Sequence, residues 1–232
     1  MTQPLFHYGF DGFVCSAGGY VGCDGKILVD IPMEPEQVSG LRAALERAGA
    51  ECTLEVRDET YGGIKMIERF ANLFPKTPGK VNSEAERWRK MMEFGMTICP
   101  IEKYHGEPVY KIVFIAPNEE CLTEVKRQYE SQFVFCESRL GDEGGGIVNG
   151  ELINRKFDKG TGIKAICGFL GCSLADTIGF GDSDNDLQMT DVVGISVCMA
   201  NGSDNLKKRC DRICPAVSED GVAKEFAELG LI

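Results

Sequence analysis

Apolar residues recur with two different periods along the chain, and the change of period is the first guide to its elements. Phe13-Val14-Cys15 is a short apolar run after an Asp-Gly turn. Tyr20-Val21 and Ile27-Leu28-Val29 flank Cys23-Asp24-Gly25-Lys26, which predicts a β-hairpin. Over residues 34–48 the period lengthens to that of a helix. Val38, Leu41, Leu45 and Ala48 fall on one face, acids and Pro35 fill the first turn, and Gly49 ends it. Cys52-Thr53-Leu54-Glu55-Val56 then alternates as a strand does. Residues 110–116 predict a second strand, Asn118 caps a helix that runs to Tyr129, and Phe133-Val134-Phe135-Cys136 predicts a third strand. Together these make a compact α+β unit with an open-faced sheet. Within it, residues 62–78 carry no legible pattern. Ser83-Glu84-Ala85-Glu86 has the form of a capping box, and Trp88, Met91 and Met92 after it share a helical face, read as packing.

From Gly150 the pattern turns to strand and helix in alternation. Leu152-Ile153 leads to Lys159-Gly160-Thr161-Gly162 and a helix carrying Ile163, Ile166 and Leu170, closed by Gly171. A strand over 177–180, an acidic turn, a helix with Leu187, Met189, Val192 and Val193, and a strand over 195–199 follow. The loop Ala200-Asn201-Gly202, a helix from Ser203 and a last helix after Glu219-Asp220-Gly221 complete the chain. This order predicts an α/β fold with a doubly wound parallel sheet, whose ligands gather at the carboxyl ends of the strands. The expected division is a core segment over 1–20, an α+β domain over 21–148 and an α/β core over 149–232, with glycine-rich residues 141–146 as the linker.

The net charge of -11 argues against nucleic acid, whose binders present a basic face, and favours small substrates. No apolar run is long enough for a membrane span and the first residues do not read as a signal peptide, so the cytoplasm is expected. The eleven cysteines include no C-x-x-C pair and several lie in apolar runs, which predicts reduced thiols. Neither His7 nor His105 has a partner at ligand spacing.

Chemistry concentrates in Asp182-Ser183-Asp184-Asn185-Asp186, on a turn between strand and helix. Three acids and an amide in five residues favour a hard cation with oxygen ligands. Their spacing imitates a calcium loop, but Leu187 and Val193 stand where that loop needs glycine and glutamate. The glycines at 144–146 precede no lysine-bearing helix at phosphate-loop spacing and read as a turn.

Asp158-Lys159-Gly160-Thr161-Gly162-Ile163-Lys164, the acidic turn with Gly181 before it, and Val197-Cys198-Met199-Ala200-Asn201 together resemble the haloacid dehalogenase-like superfamily, in its Cof-type branch of phosphatases with an α/β cap domain. Glu219-Asp220-Gly221-Val222 extends the likeness, and the run from Asp11 to Tyr20 looks like the strand and loop that lead into the cap. The resemblance implies Mg2+ as cofactor and a small phosphorylated metabolite as partner. It makes Asp182 a metal ligand, with Asp186 contributing directly or through water. Lys159 would pair with the transferring phosphoryl group and the nucleophile, and Asn201 would orient groups around the phosphate. Ser183 and Asp184 fall at permissive positions. The cap would select the leaving group, with Trp88, Met92 and Tyr104 among its candidate residues.

That family's chemistry begins with D-x-D-G-T, whose first Asp attacks phosphorus. No such motif occurs here; the nearest imitation, Gly9-Phe10-Asp11-Gly12-Phe13, has glycine in place of the nucleophile. Either the motif has decayed in an inactive relative, or Asp11 to Tyr20 is the later strand that enters the cap. The hairpin and helix after Tyr20 favour the second. The expected fold is therefore an incomplete haloacid dehalogenase-like parallel sheet plus an α+β cap. A strand is missing between the one before Asp182 and the one at Phe13 to Cys15, and exposed sheet edges are open to self-association. The expected function is that of a magnesium-dependent phosphohydrolase of small phosphomonoesters, such as sugar phosphates, truncated at its N-terminus and inactive as it stands. The alternative is a non-catalytic relative that binds metal or phosphate, or an interaction module.

Overall fold

A computed structural model describes residues 9–63, 98–140 and 147–232. His7, the helix expected around Trp88, Met91 and Met92, and the linker expected at 141–146 lie outside the described residues. The chain forms two compact units, one of Met1–Leu5 with Ile31–Lys156 and one of Phe6–Asp30 with Phe157–Ile232.

The second unit opens with an antiparallel meander of β1 (Gly12–Cys15), β2 (Tyr20–Cys23) and β3 (Lys26–Asp30). Cys23 pairs with Lys26 across Asp24-Gly25, the predicted hairpin. The hairpin was expected to start the α+β domain at residue 21. It instead stays with the segment before it, because β2 bonds β1 on one edge and β3 on the other.

The first unit begins with α1 (Pro35–Arg47). It continues through β4 (Glu51–Val56), β5 (Thr60–Gly62), β6 (Ile98–Pro100), β7 (Val109–Ala116), α2 (Thr123–Tyr129), β8 (Phe133–Leu140) and β9 (Ile147–Asn154). The backbone amide of Glu34 donates to the Gln37 side chain (3.0 Å) at the start of α1, and Asn118 accepts from the Cys121 amide (2.9 Å) ahead of α2. Six strands form one sheet in the order β6-β5-β4-β7-β9-β8, antiparallel except for β5 against β6. Val38, Leu41 and Leu45 of α1 and Val125 and Tyr129 of α2 pack on Leu54, Ile112, Phe114 and Leu152 of the sheet. Each fully buried leucine or phenylalanine contributes about 1.5–3 kcal/mol. The alternation of strand and helix from Gly150 predicts the strand at Leu152-Ile153 as the first of the parallel core. It is β9, antiparallel to both β7 and β8. Alternation fixes which face a strand buries but not the direction of its neighbours.

The second unit resumes with α3 (Lys159–Leu170), β10 (Ile178–Gly181), α4 (Leu187–Thr190), β11 (Ile195–Met199), α5 (Asp204–Arg209), β12 (Arg212–Cys214) and α6 (Gly221–Glu228). β10, β11 and β12 are parallel neighbours in that order, joined by crossovers through α4 and α5. Val197, Met199 and Cys214 form their small core, Phe180 meets Phe226 edge-on at 5.4 Å, and the nearly inaccessible Glu225 of α6 binds Arg212 of β12. Among the described residues this sheet and the β1-β2-β3 meander share no strand. All eleven cysteines are free thiols, and burial pushes Cys52 and Cys198 up to about 11.

Candidate active site

Lys159 is the first residue of α3. Asp158 caps that helix: its carboxylate accepts from the Thr161 amide (2.6 Å), while its own amide donates to the Thr161 hydroxyl (2.9 Å). Gly160 follows because α4, just beyond the acidic turn, lies against it. A Cβ there would stand 2.6 Å from the Gln188 carbonyl oxygen. A larger residue would push α3, and Lys159 with it, away from the acidic turn.

The Lys159 ammonium donates to Asn185 Oδ1 (2.9 Å) and pairs with Asp186 Oδ1. Asp186 is buried, and its other oxygen accepts from the backbone amides of Asp182 (3.0 Å) and Ser183 (3.3 Å). The Ser183 hydroxyl donates to Asn185 (2.8 Å). One carboxylate thus closes the turn on itself and ties it to α3. The structure brings Lys159, Asp182 and Asp186 into one cluster from positions more than 20 residues apart. Asn185, which sequence reasoning left without a role, is its fourth member; the signal was its place inside the acidic turn.

Asp184 points elsewhere. It accepts from the Ser203 hydroxyl and from Asn205 Nδ2 (3.0 Å), and these hydrogen bonds hold its carboxyl below the usual carboxylate range. The Ser203 amide also donates to the Asp182 carbonyl (3.0 Å), so the turn is fastened to the start of α5 at two points. Asn201 lies in the same loop, but its side-chain oxygen accepts from the Val217 amide (3.3 Å) and not from the acidic turn. Tyr104 belongs to the other unit, where its ring meets Tyr61 and its hydroxyl donates to the Glu107 carbonyl (3.0 Å). His105 is tied there through its backbone amide, which donates to the Glu107 carboxylate (2.8 Å).

The donor set bears on which metal could be held. Among the described residues no three His, Cys, Asp or Glu side chains converge as a metal cage. The Asp182 carboxylate is exposed and has no hydrogen bond or ion pair among the described residues, whereas Asp186 is already engaged on both oxygens. Such a set, all oxygen and with one free carboxylate among the described residues, fits a hard cation that keeps most of its waters.

A family model described as haloacid dehalogenase-like hydrolase matches residues 1–226. A Bacillus subtilis protein named as a phosphatase, YkrA, is 43% identical over 129 residues, which are 56% of this chain and 46% of that protein. The chain thus matches about half of that relative's length. The HMP-PP phosphatase of Yersinia enterocolitica is 32% identical over 229 residues, 96% of this chain and 76% of that protein. The solved structure of a subclass IIB sugar phosphatase superposes with a TM-score of 0.72 at 18% identity, covering 99% of this chain and 80% of that one, which shows a shared fold. No helix among the described residues is long and apolar enough to cross a membrane.

Proposed function

The chain belongs to the haloacid dehalogenase-like hydrolases, and from that premise we propose that its site serves the magnesium-dependent hydrolysis of small phosphomonoesters in the cytoplasm. The observation that carries the reading is the Lys159 ammonium, held by Asn185 and Asp186 on the same turn that presents the free carboxylate of Asp182. In this reading Asp182 holds the metal. Asp186 acts through water or by keeping the turn shut. Lys159 offsets the negative charge of a phosphoryl group, and Asn201 turns from Val217 to the phosphate. When bound, the ion would neutralise phosphate charge and polarise its oxygens.

The attacking carboxylate is not part of this cluster. Gly12 to Cys15, the strand that follows the Gly9-Phe10-Asp11 imitation, pairs antiparallel with β2 and not beside β10. This supports the reading of β1 as the strand leading into the cap. We therefore assign the nucleophile to a segment outside these 232 residues and expect the chain alone to be inactive. The edges of its two small sheets would then be open to self-association. With p-nitrophenyl phosphate and Mg2+, turnover at background level is expected. Turnover that disappears in Asp182→Ala would overturn the missing nucleophile. Calorimetric titration with Mg2+ should give weak, millimolar binding that Asp182→Ala abolishes; undiminished binding in that variant would remove Asp182 from the site. Magnesium and phosphate binding without turnover, even after a D-x-D-G-T strand is restored, would favour the non-catalytic alternative.

A further inference from the structure

At the opposite end of α3 from Lys159 the chain brings two thiols together. The helix stops at Gly171, which adopts a left-handed conformation with φ of 70°. The Cys172 amide, the next residue, donates back to the Cys167 carbonyl (3.1 Å). This six-to-one closure folds the second residue past the helix onto the last turn, and side chains at those two positions meet. Here both are cysteines. The Cys172 Sγ lies 3.8 Å from the Cys167 carbonyl oxygen. Cys172 is exposed and Cys167 is buried, so the two thiols are neighbours with unequal access to solutes. Burial, and then the hydrogen bond to Cys172, push the Cys167 thiol up.

We propose that Cys172 and Cys167 form a reversible thiol-modification site for low-molecular-weight disulfides. The Cys172 thiolate attacks one sulfur of the small disulfide, forming a mixed disulfide and expelling one small thiolate, which takes up the proton that Cys172 lost. The Cys167 thiolate then attacks the Cys172 sulfur. The Cys167–Cys172 bond forms, the second small thiolate leaves and is protonated, and the two cysteines have been oxidised at the expense of one small disulfide. An exposed thiol and a resolving partner beside it are the marks of a redox-sensitive pair. Because burial and the hydrogen bond to Cys172 hold the Cys167 thiol up, its attack quickens as pH rises. Its rate rises about tenfold per pH unit while that thiol remains protonated.

The test treats the reduced full chain with glutathione disulfide and follows it by mass spectrometry. Chymotrypsin cuts after Phe169 and Leu170, so a Cys167–Cys172 bond holds two peptides together until reductant is added. The expected course is glutathione on Cys172 first, then loss of that adduct with the cross-link appearing, faster at alkaline pH. Cys167→Ser should trap the adduct on Cys172, and Cys172→Ser should abolish both products. A lasting adduct on Cys172 in the unaltered chain at alkaline pH, no reaction at Cys172, or a cross-link to any other cysteine would overturn the proposal. The unaltered chain decides the matter even if the Cys167 variant fails to fold.

Discussion

The two units of the chain are held together by different means. Of the largest fully buried side chains among the described residues, Phe114, Phe133, Leu41, Leu45, Leu54, Ile112, Ile115, Leu122 and Leu152 all lie in the unit of residues 31–156, and Leu206 and Glu225 lie in the other. The first unit is one six-stranded sheet with a continuous apolar core on its helical face. The second divides its strands between two small sheets, and one of its two most buried large residues is a carboxylate. Its order depends on polar ties: Glu225 to Arg212, Asp186 to Lys159, and Asp184 to Ser203 and Asn205. Apolar cores tolerate exchanges of similar volume, whereas polar networks fail when one partner is lost. The candidate site residues sit in the unit with less room for error.

Substitutions can break this contrast. The largest effect is expected from Phe114→Ala, which empties the centre of the first unit and should cost about 3–5 kcal/mol in urea unfolding. A loss under half of that would mean the core is not continuous. In the second unit Arg212→Met leaves Glu225 buried without its partner. It should lower the thermal midpoint several-fold more than Arg209→Met, whose pair with Asp191 is exposed on both sides. Lys159→Met, which strips Asp186 of its cation, should cost about 1–3 kcal/mol and loosen the acidic turn, seen as faster amide hydrogen exchange at Asp182 and Ser183.

Several elements in both units were legible because they obey simple periods. The hairpin at Asp24-Gly25, the helix after Pro35 and the strand at Val109–Ala116 all appear where apolar spacing places them. β5 and β6 have three residues each, too few to show a period, and in β12 two polar-flanked positions hide a strand whose support comes from α6. The direction of β9 was not encoded in its alternation. At the site, the acidic turn was visible as a composition anomaly, and Lys159 came only through family resemblance. The contact of Lys159 with Asp186 spans 27 residues, and no local rule gives it. Asp184 falls at a permissive position of the resembled family, yet its carboxylate is one of the two points that fasten the turn to α5.

That fastening gives the smallest and most specific expectation. The Asp184 carboxyl is held low by Ser203 and Asn205, so its folded pKa lies below its unfolded value near 3.9. The stability it contributes is present above the unfolded value and is lost as pH falls through the lowered folded pKa. Asp184→Asn should therefore be slightly less stable than the unaltered chain at neutral pH, and the gap should close in acid. A gap that stays constant on acidification would show that the charge of Asp184 does not matter.

Gly18 and Asp158 are separated by most of the chain, yet a Cβ on Gly18 would lie 2.2 Å from the Asp158 carbonyl oxygen, and Gly18 has φ of 111°. In the other unit Lys156 reaches Glu34 at 3.7 Å. The intervening residues 31–156 therefore depart and return close to one place in each unit, as a cassette does. Insertions with adjoining ends can be exchanged or lengthened without rethreading their host. The same α3 and its acidic turn can thereby be kept while the inserted piece changes wholesale.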